Sequence, residues 1–289
     1  MTTNDNYYIP EGSHWPIIAA LGIITLLFGV TLAVNDVGAG SIIMIVGLLV
    51  LVYLFFGWFG DVIKESMSGQ YNKTVDASFR QGMAWFIGSE VFFFATFFGC
   101  LYYLRAIVGP WLGGEGHLAE TNMLWEGFTF AWPMIELPDA STYTTAKEAM
   151  GPMGIPLINT IILVSSGGTL TWAHWGLKKD NNKQLVAGLV ITVLLGLTFF
   201  GFQAYEYYHA YHAMDLTLNS GIYGSTFYML TGFHGFHVII GTIMLIVMMI
   251  RAMKGHFSHE HHFAFEAAAW YWHFVDVVWI GLFFFVYWL

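Results

Sequence analysis

Residues Phe86–Phe98 read FIGSEVFFFATFF, and this stretch decides what kind of fold the chain adopts. It is rich in large apolar side chains and carries one carboxylate, Glu90, beside the small hydroxyl of Ser89. Such a run suits a helix surrounded by lipid, where an unpaired ionised glutamate is expensive. The stretch therefore predicts a membrane-spanning helix, in which the role of Glu90 needs an explanation.

The composition of the whole chain points the same way. Of the 289 residues, 57% are hydrophobic and only 10% are charged, whereas soluble domains carry about 25% charged residues. The net charge is −9 and the few basic residues are scattered, which excludes a nucleic-acid partner. The single cysteine allows no intrachain disulfide and no cysteine-based metal site. We expect an all-α integral membrane protein.

Seven segments are long and apolar enough to span a bilayer, for which roughly 20 residues are needed. To within a few residues they are Trp15–Val34, Gly40–Ile63, Gly82–Ile107, Pro156–Leu177, Leu185–Tyr205, Thr226–Ile250 and Ala264–Leu289.

The basic residues predict the orientation of these spans. If the spans alternate in direction, Arg105 and Lys147 fall on one side and the other eight of the ten basic residues fall on the opposite side. The positive-inside rule then places the N-terminus inside and the C-terminus outside.

Loop lengths suggest how the spans are grouped. We expect an inner tail over residues 1–14, a helix pair over 15–63, an inner connection over 64–81 and a five-helix bundle over 82–289. The bundle includes a long outer loop, 108–155, which contains six carboxylates and one lysine.

Histidine is the first candidate for chemistry, because there are twelve. His234 and His237 are three residues apart and share one helix face at nearly the same depth, a spacing that suits neither one haem nor two stacked haems. We interpret them as hydrogen-bonding residues in a packed interface. The tract HFSHEHH, from His256 to His262, is either a metal-binding tract or a solvated loop. We favour the loop and expect no metal ligand in this chain.

The last span contains three further polar residues. Glu266 lies near its inner end, and His273 and Asp276 are close enough along one helix face to touch. A proton relay and a polar clamp between helices are both open, and we favour the clamp.

Glu90 lies ten residues beyond Arg80, or about 15 Å along a helix, near the middle of the hydrocarbon core. Burial favours its protonated form. Since only Ser89 and Thr96 are polar neighbours on that span, no proton relay can be built through it, and we expect a neutral acid that forms hydrogen bonds.

Several long stretches resemble haem–copper cytochrome c oxidase subunit III. They are Asp61–Ser66 (DVIKES), Arg80–Phe93 (RQGMAWFIGSEVFF), Ile158–His174 (INTIILVSSGGTLTWAH), Ser220–Thr242 (SGIYGSTFYMLTGFHGFHVIIGT) and His261–Phe284 (HHFAFEAAAWYWHFVDVVWIGLFF). The resemblance covers nearly the whole chain in order. The N-terminus and the outer loop depart from the mitochondrial pattern, which favours a bacterial cytoplasmic membrane.

The resemblance implies a subunit without its own redox cofactor or catalytic centre. Haem and copper would reside in partner subunits I and II, and cytochrome c would be the electron donor of the complex. It implies two helices and a five-helix bundle separated by a cleft that holds phospholipid, with head-group ligands at Glu65, Arg251, Lys254 and His256. It also implies that Glu90 is the reactive carboxyl of the family, and that the subunit stabilises subunit I and supports proton uptake.

Three alternatives remain. A quinol oxidase subunit III usually has five spans. A proton or ion transporter would need polar partners above and below Glu90. A haem-bearing membrane anchor would need a different spacing of histidines.

Overall fold

The computed structural model describes Tyr8 and residues 12–289, and the described residues form helices and loops without a β-strand. The α-helices are α1 (Trp15–Val34), α2 (Gly40–Met67), α3 (Lys73–Tyr103), α4 (Gly109–Leu112), α5 (Ile155–Lys178), α6 (Asn182–His212), α7 (Gly221–Met253) and α8 (Phe263–Leu282). π-Helical segments, Leu104–Val108 and Phe283–Trp288, follow α3 and α8, and a 3₁₀ helix, Ala119–Leu124, lies in the long loop.

Seven of these helices are long and apolar enough to cross a membrane, with α3 and α4 counting as one span from Lys73 to Leu112. The predicted all-α membrane fold with seven spans is therefore confirmed. Of the predicted inner tail, only Tyr8 and residues 12–14 are described, so most of that segment lies outside the described residues.

The helices extend beyond the predicted apolar segments. The inner connection was predicted over 64–81, but α2 continues to Met67 and α3 begins at Lys73. The side chain of Asn72 accepts a hydrogen bond from the backbone N–H of Val75 (3.0 Å), as a helix cap does. Hydropathy marks where a helix meets lipid, whereas capping groups decide where the backbone stops being helical.

The chain divides into two compact units, Met1–Gln81 and Gly82–Leu289, with the boundary inside α3. In the first unit α1 and α2 pack closely through glycines. A Cβ atom at Gly29 would collide with the backbone of Met44, and one at Gly47 with the backbone of Leu26. Small residues let two helix backbones approach in lipid, where no hydrophobic force drives them together.

In the second unit, α8 is fixed to α5 by two tryptophans with no exposed surface. Trp272 donates its indole N–H to the hydroxyl of Ser166 (2.8 Å), and Trp279 donates to Thr160 (2.9 Å). Each indole therefore fills the core with its rings and satisfies its one polar atom on the neighbouring helix.

The glycine contacts of α2 can be tested with one added methyl group. We expect Gly47→Ala to lower the free energy of unfolding by about 1–3 kcal/mol, because the methyl meets backbone that cannot move aside. Gly60→Ala in the same helix is the matched control, since its Cβ would have no neighbour within 4 Å. Denaturation in mixed detergent micelles measures both, and equal stabilities would contradict the packing argument.

Candidate functional site

Glu90 has a partner on another helix. Its Oε2 lies 2.9 Å from Nε2 of His237, so the contact joins α3 to α7. Glu90 is 17 residues from the start of α3, or about 25 Å, which keeps it near the middle of the 40-residue span Lys73–Leu112. Its side chain is 20% exposed, so the carboxyl is mostly but not completely buried within the chain.

The other hydrogen bond of His237 restricts where protons can be. Its Nδ1 lies 2.6 Å from the backbone carbonyl of Phe233, and a carbonyl can only accept, so Nδ1 carries a proton. If the imidazole is neutral, Nε2 is an acceptor and Glu90 must donate. If the imidazole is charged, Glu90 is a carboxylate. In both cases one proton lies between Oε2 of Glu90 and Nε2 of His237, and the pair has no net charge.

Aromatic rings surround this pair. The ring of Phe94 lies 5.0 Å from that of His237, and Phe93 and Tyr271 lie at 5.9 and 6.2 Å. The two hydroxyls closest to Glu90 along α3 donate to backbone carbonyls of the same helix, Ser89 to Phe86 and Thr96 to Phe92. Glu90 therefore depends on His237.

His234 faces a different helix. It is 1% exposed, and its Nε2 lies 3.2 Å from the backbone carbonyl of Val275 on α8. Its ring packs against Trp279, with ring centres 5.0 Å apart. The two histidines of α7 thus connect this helix to α8 and α3 respectively, as the interpretation of packed hydrogen-bonding residues requires.

His273 and Asp276 lie together on α8, but loosely. His273 Nδ1 is 3.4 Å from Asp276 Oδ2, and His273 Nε2 is 3.5 Å from the hydroxyl of Thr171 on α5. A Cβ atom at Gly167 would collide with the Asp276 carboxylate, so this glycine lets α5 approach it. The arrangement fits a polar clamp between helices.

The predicted polar residues therefore form four separate groups, and Glu266 belongs to the last of them. Glu266 lies ten residues before Asp276, about 15 Å along α8, and its Oε1 is 3.2 Å from His262 and 3.5 Å from His174. It does not join a single network with the other three groups, because this distance along α8 separates it from Asp276.

A fourth acidic group was missed in the sequence. Glu206 on α6 is 1% exposed and accepts hydrogen bonds from Tyr287 (2.6 Å) and Gln203 (3.3 Å). The predicted span ended at Tyr205, which placed Glu206 in a loop, whereas α6 runs to His212. The spacing of Gln203 and Glu206, three residues apart on one face, was the available signal.

Comparison with known proteins gives the family. The family model described as Cytochrome c oxidase subunit III matches residues 5–115 and 121–289. The chain belongs to the cytochrome c oxidase subunit III family. Its five unmatched internal residues, 116–120, fall in the long loop.

Named relatives cover the chain almost completely. "Cytochrome c oxidase subunit 3" of Arabidopsis thaliana is 40% identical over 284 residues, 98% of this chain and 96% of the relative. The proteins of the same name from Dugong dugon and Equus caballus are 40% and 39% identical over 283 residues, again 98% and 96% of the two chains. The chain is thus a multi-pass membrane protein of this family.

The four lipid-ligand residues that the family suggests fall in separate units. In the first unit, Glu65 accepts a hydrogen bond from the hydroxyl of Tyr71 (2.8 Å). Burial is the larger cause and this hydrogen bond the second cause of a raised pKa of Tyr71. The phenol therefore keeps its proton and remains a donor to Glu65.

In the second unit, Arg251 is 6% exposed and its guanidinium lies 4.7 Å from the centre of the Phe257 ring. Its Nε is buried and has no hydrogen-bond partner among the described residues. The same holds for Nδ1 of His256, while Lys254 is exposed. These groups at the end of α7 can take up an anion.

The hydrogen bond between Glu90 and His237 yields a stability test. We expect His237→Phe to cost about 1–3 kcal/mol of unfolding free energy, because Glu90 loses its partner. Glu90→Gln should cost less than about 1 kcal/mol, since an amide N–H can replace a neutral acid as donor to Nε2.

The matched control for this test is Thr96→Val, which removes a hydroxyl bonded within its own helix and should change stability by no more than about 0.5 kcal/mol. Infrared spectra should show a protonated carboxyl band that Glu90→Gln removes. If Glu90→Gln is as damaging as His237→Phe and no such band exists, the contact is an ion pair instead.

Proposed function

We propose that this chain is subunit III of a proton-pumping oxidase that transfers electrons from cytochrome c to oxygen. In this proposal it has no redox centre of its own and stabilises subunit I, alongside subunit II. The observation that carries the proposal is the family match across almost the whole chain. His234 and His237 support it, because each is held by protein atoms of another helix.

Purification of the complex through a tag on this chain tests the assignment. We expect a haem-bearing subunit I and a copper-binding subunit II to co-purify, and the isolated chain to show no stoichiometric haem spectrum. A stoichiometric haem in the isolated chain would overturn the proposal. Co-purification without a copper-binding subunit II would favour the quinol oxidase form.

Glu90 supplies the proposed link to proton uptake. The proton can move between Glu90 and His237 without changing the net charge of the pair, which is the least costly arrangement in a low-dielectric region. We propose that Glu90 and His237 hold this proton to support the uptake path of subunit I, rather than forming a transport path of their own. This distinguishes the accessory role from that of a transporter.

Phospholipid binding is the second part of the proposal. A buried guanidinium with an unpartnered N–H is costly, and a phosphate group would satisfy it through charge-assisted hydrogen bonds. Basic groups at the membrane surface are typical of sites for anionic lipid head groups. Arg251 supplies the buried charge, and Lys254 and His256 follow it closely in the sequence. Glu65, in the first unit, is proposed separately as a head-group ligand.

The lipid site can be tested by mass spectrometry of the purified complex. We expect Arg251→Ala combined with Lys254→Ala to remove most of one anionic phospholipid per complex. The matched control is Lys178→Ala combined with Lys179→Ala, which deletes two charges from the connection between α5 and α6. Unchanged lipid content in the first variant, or an equal loss in both, would rule the site out.

The location and orientation remain part of the proposal. The distribution of basic residues favours an N-terminus on the cytoplasmic side and a C-terminus on the periplasmic side of a bacterial cytoplasmic membrane. The relatives named above come from a plant and two mammals, so the bacterial origin stays a prediction.

A further inference from the structure

Three ligand-type side chains meet where the end of α5 approaches the start of α8. His174 lies in the last turns of α5, His262 immediately precedes α8, and Glu266 lies in the first turn of α8. One ligand atom from each lies within 4.8 Å of the other two. Their side chains are 23%, 9% and 13% exposed respectively, so the group is accessible without being a free surface cluster.

The distances within this group are long for charge-assisted hydrogen bonds. Nε2 of His262 lies 3.2 Å and Nε2 of His174 lies 3.5 Å from the same oxygen, Oε1 of Glu266. A charge-assisted N–H···O bond is shorter, at about 2.7–2.9 Å. Ligands about 2.1 Å from a tetrahedral zinc ion are instead separated by about 3.4 Å. Both distances to the shared oxygen are close to this separation between zinc ligands.

The second nitrogen of His262 orients the ring for metal binding. Its Nδ1 lies 3.0 Å from the backbone carbonyl of Ser258, so this nitrogen carries a proton that it donates. In the neutral ring the lone pair of Nε2 then faces the Glu266 carboxylate, which is repulsive unless a proton or a metal ion lies between them. Histidines that bind metals commonly donate their other N–H to a backbone carbonyl in this way.

The lack of other partners for the two imidazole nitrogens is consistent with this arrangement. Nε2 of His262 and Nε2 of His174 are both buried and have no well-formed hydrogen bond among the described residues. Buried polar atoms usually have a partner, and a metal ion would supply one to each. Lys178 lies one turn beyond His174, but its exposed charge is screened by solvent.

We propose that His174, His262 and Glu266 bind one zinc-class divalent cation, with water in the fourth position. Two imidazoles and one carboxylate suit Zn²⁺, whereas Mg²⁺ and Ca²⁺ prefer oxygen ligands only. The ion joins α5 to the segment that starts α8. This revises the interpretation of HFSHEHH as only a solvated loop, and it does not depend on the proposed oxidase function.

The full chain, purified in detergent and stripped with a chelator, is titrated with Zn²⁺ and its bound metal is measured by mass spectrometry. We expect one high-affinity Zn²⁺ per chain. His174→Ala and His262→Ala should each weaken binding at least about ten-fold. The matched control is His259→Ala, which removes an exposed imidazole from the same tract and should leave the affinity unchanged.

X-ray absorption of the zinc-loaded wild type provides an independent readout and should show two imidazole ligands. Circular dichroism checks that each variant is folded. If an alanine variant does not fold, Glu266→Gln, which retains the shape of the side chain, should weaken binding in its place. The proposal is overturned if the wild type binds no stoichiometric Zn²⁺, if fewer than two imidazoles are bound, or if His259→Ala weakens binding as much as His262→Ala.

Discussion

The hydrocarbon core contains no water to satisfy a polar group, and the second unit is organised by this constraint. Backbone groups are satisfied within the helices, so each polar side chain must find its partner on a neighbouring helix or on its own backbone. Thr169 and Thr192 join α5 to α6 (2.8 Å), and Tyr207 and Thr231 join α6 to α7 (2.7 Å).

The same pattern continues around the unit. Glu90 joins α3 to α7, His234 joins α7 to α8, and Trp272 joins α8 to α5. Each of the helices α3, α5, α6, α7 and α8 is thus connected to another by at least one polar contact. An acid in this setting first serves as a hydrogen-bonding contact between helices. This explains how the chain tolerates a glutamate in the middle of an apolar helix.

The sequence was sufficient for the number, type and approximate position of the spanning helices, because lipid imposes a length and an apolar composition that can be counted. It was insufficient for the helix ends. Asp76 and Arg80, one turn apart with a 2.7 Å ion pair, read as a polar connection by hydropathy but extend α3. The predicted span at α6 also ended too early, at Tyr205, and a glutamate beyond the end of an apolar span does not indicate a buried acid.

The site could be predicted only in part for a related reason. Glu90, His234 and His237 were identified as polar residues in apolar helices, and the three-residue spacing was interpreted as packing. The pairing of Glu90 with His237 joins residues 147 positions apart, and no local pattern specifies such a contact. The grouping of Glu266 with His174 has the same origin, because it requires knowing which helix ends are neighbours.

The helices inside each unit are packed against one another by different contacts, and this difference affects where function can reside. In the first unit Gly29 and Gly47 bring two backbones into contact. The indole N–H of Trp15 also donates to the carboxylate of Asp61 (3.0 Å), which joins the same two helices. In the second unit, titratable groups connect the helices and can change protonation or bind an ion. A change of charge at Glu90 or Glu266 alters a contact between helices directly. The second unit therefore contains the contacts between histidines and acids through which the proposed proton and metal chemistry would be coupled to helix packing.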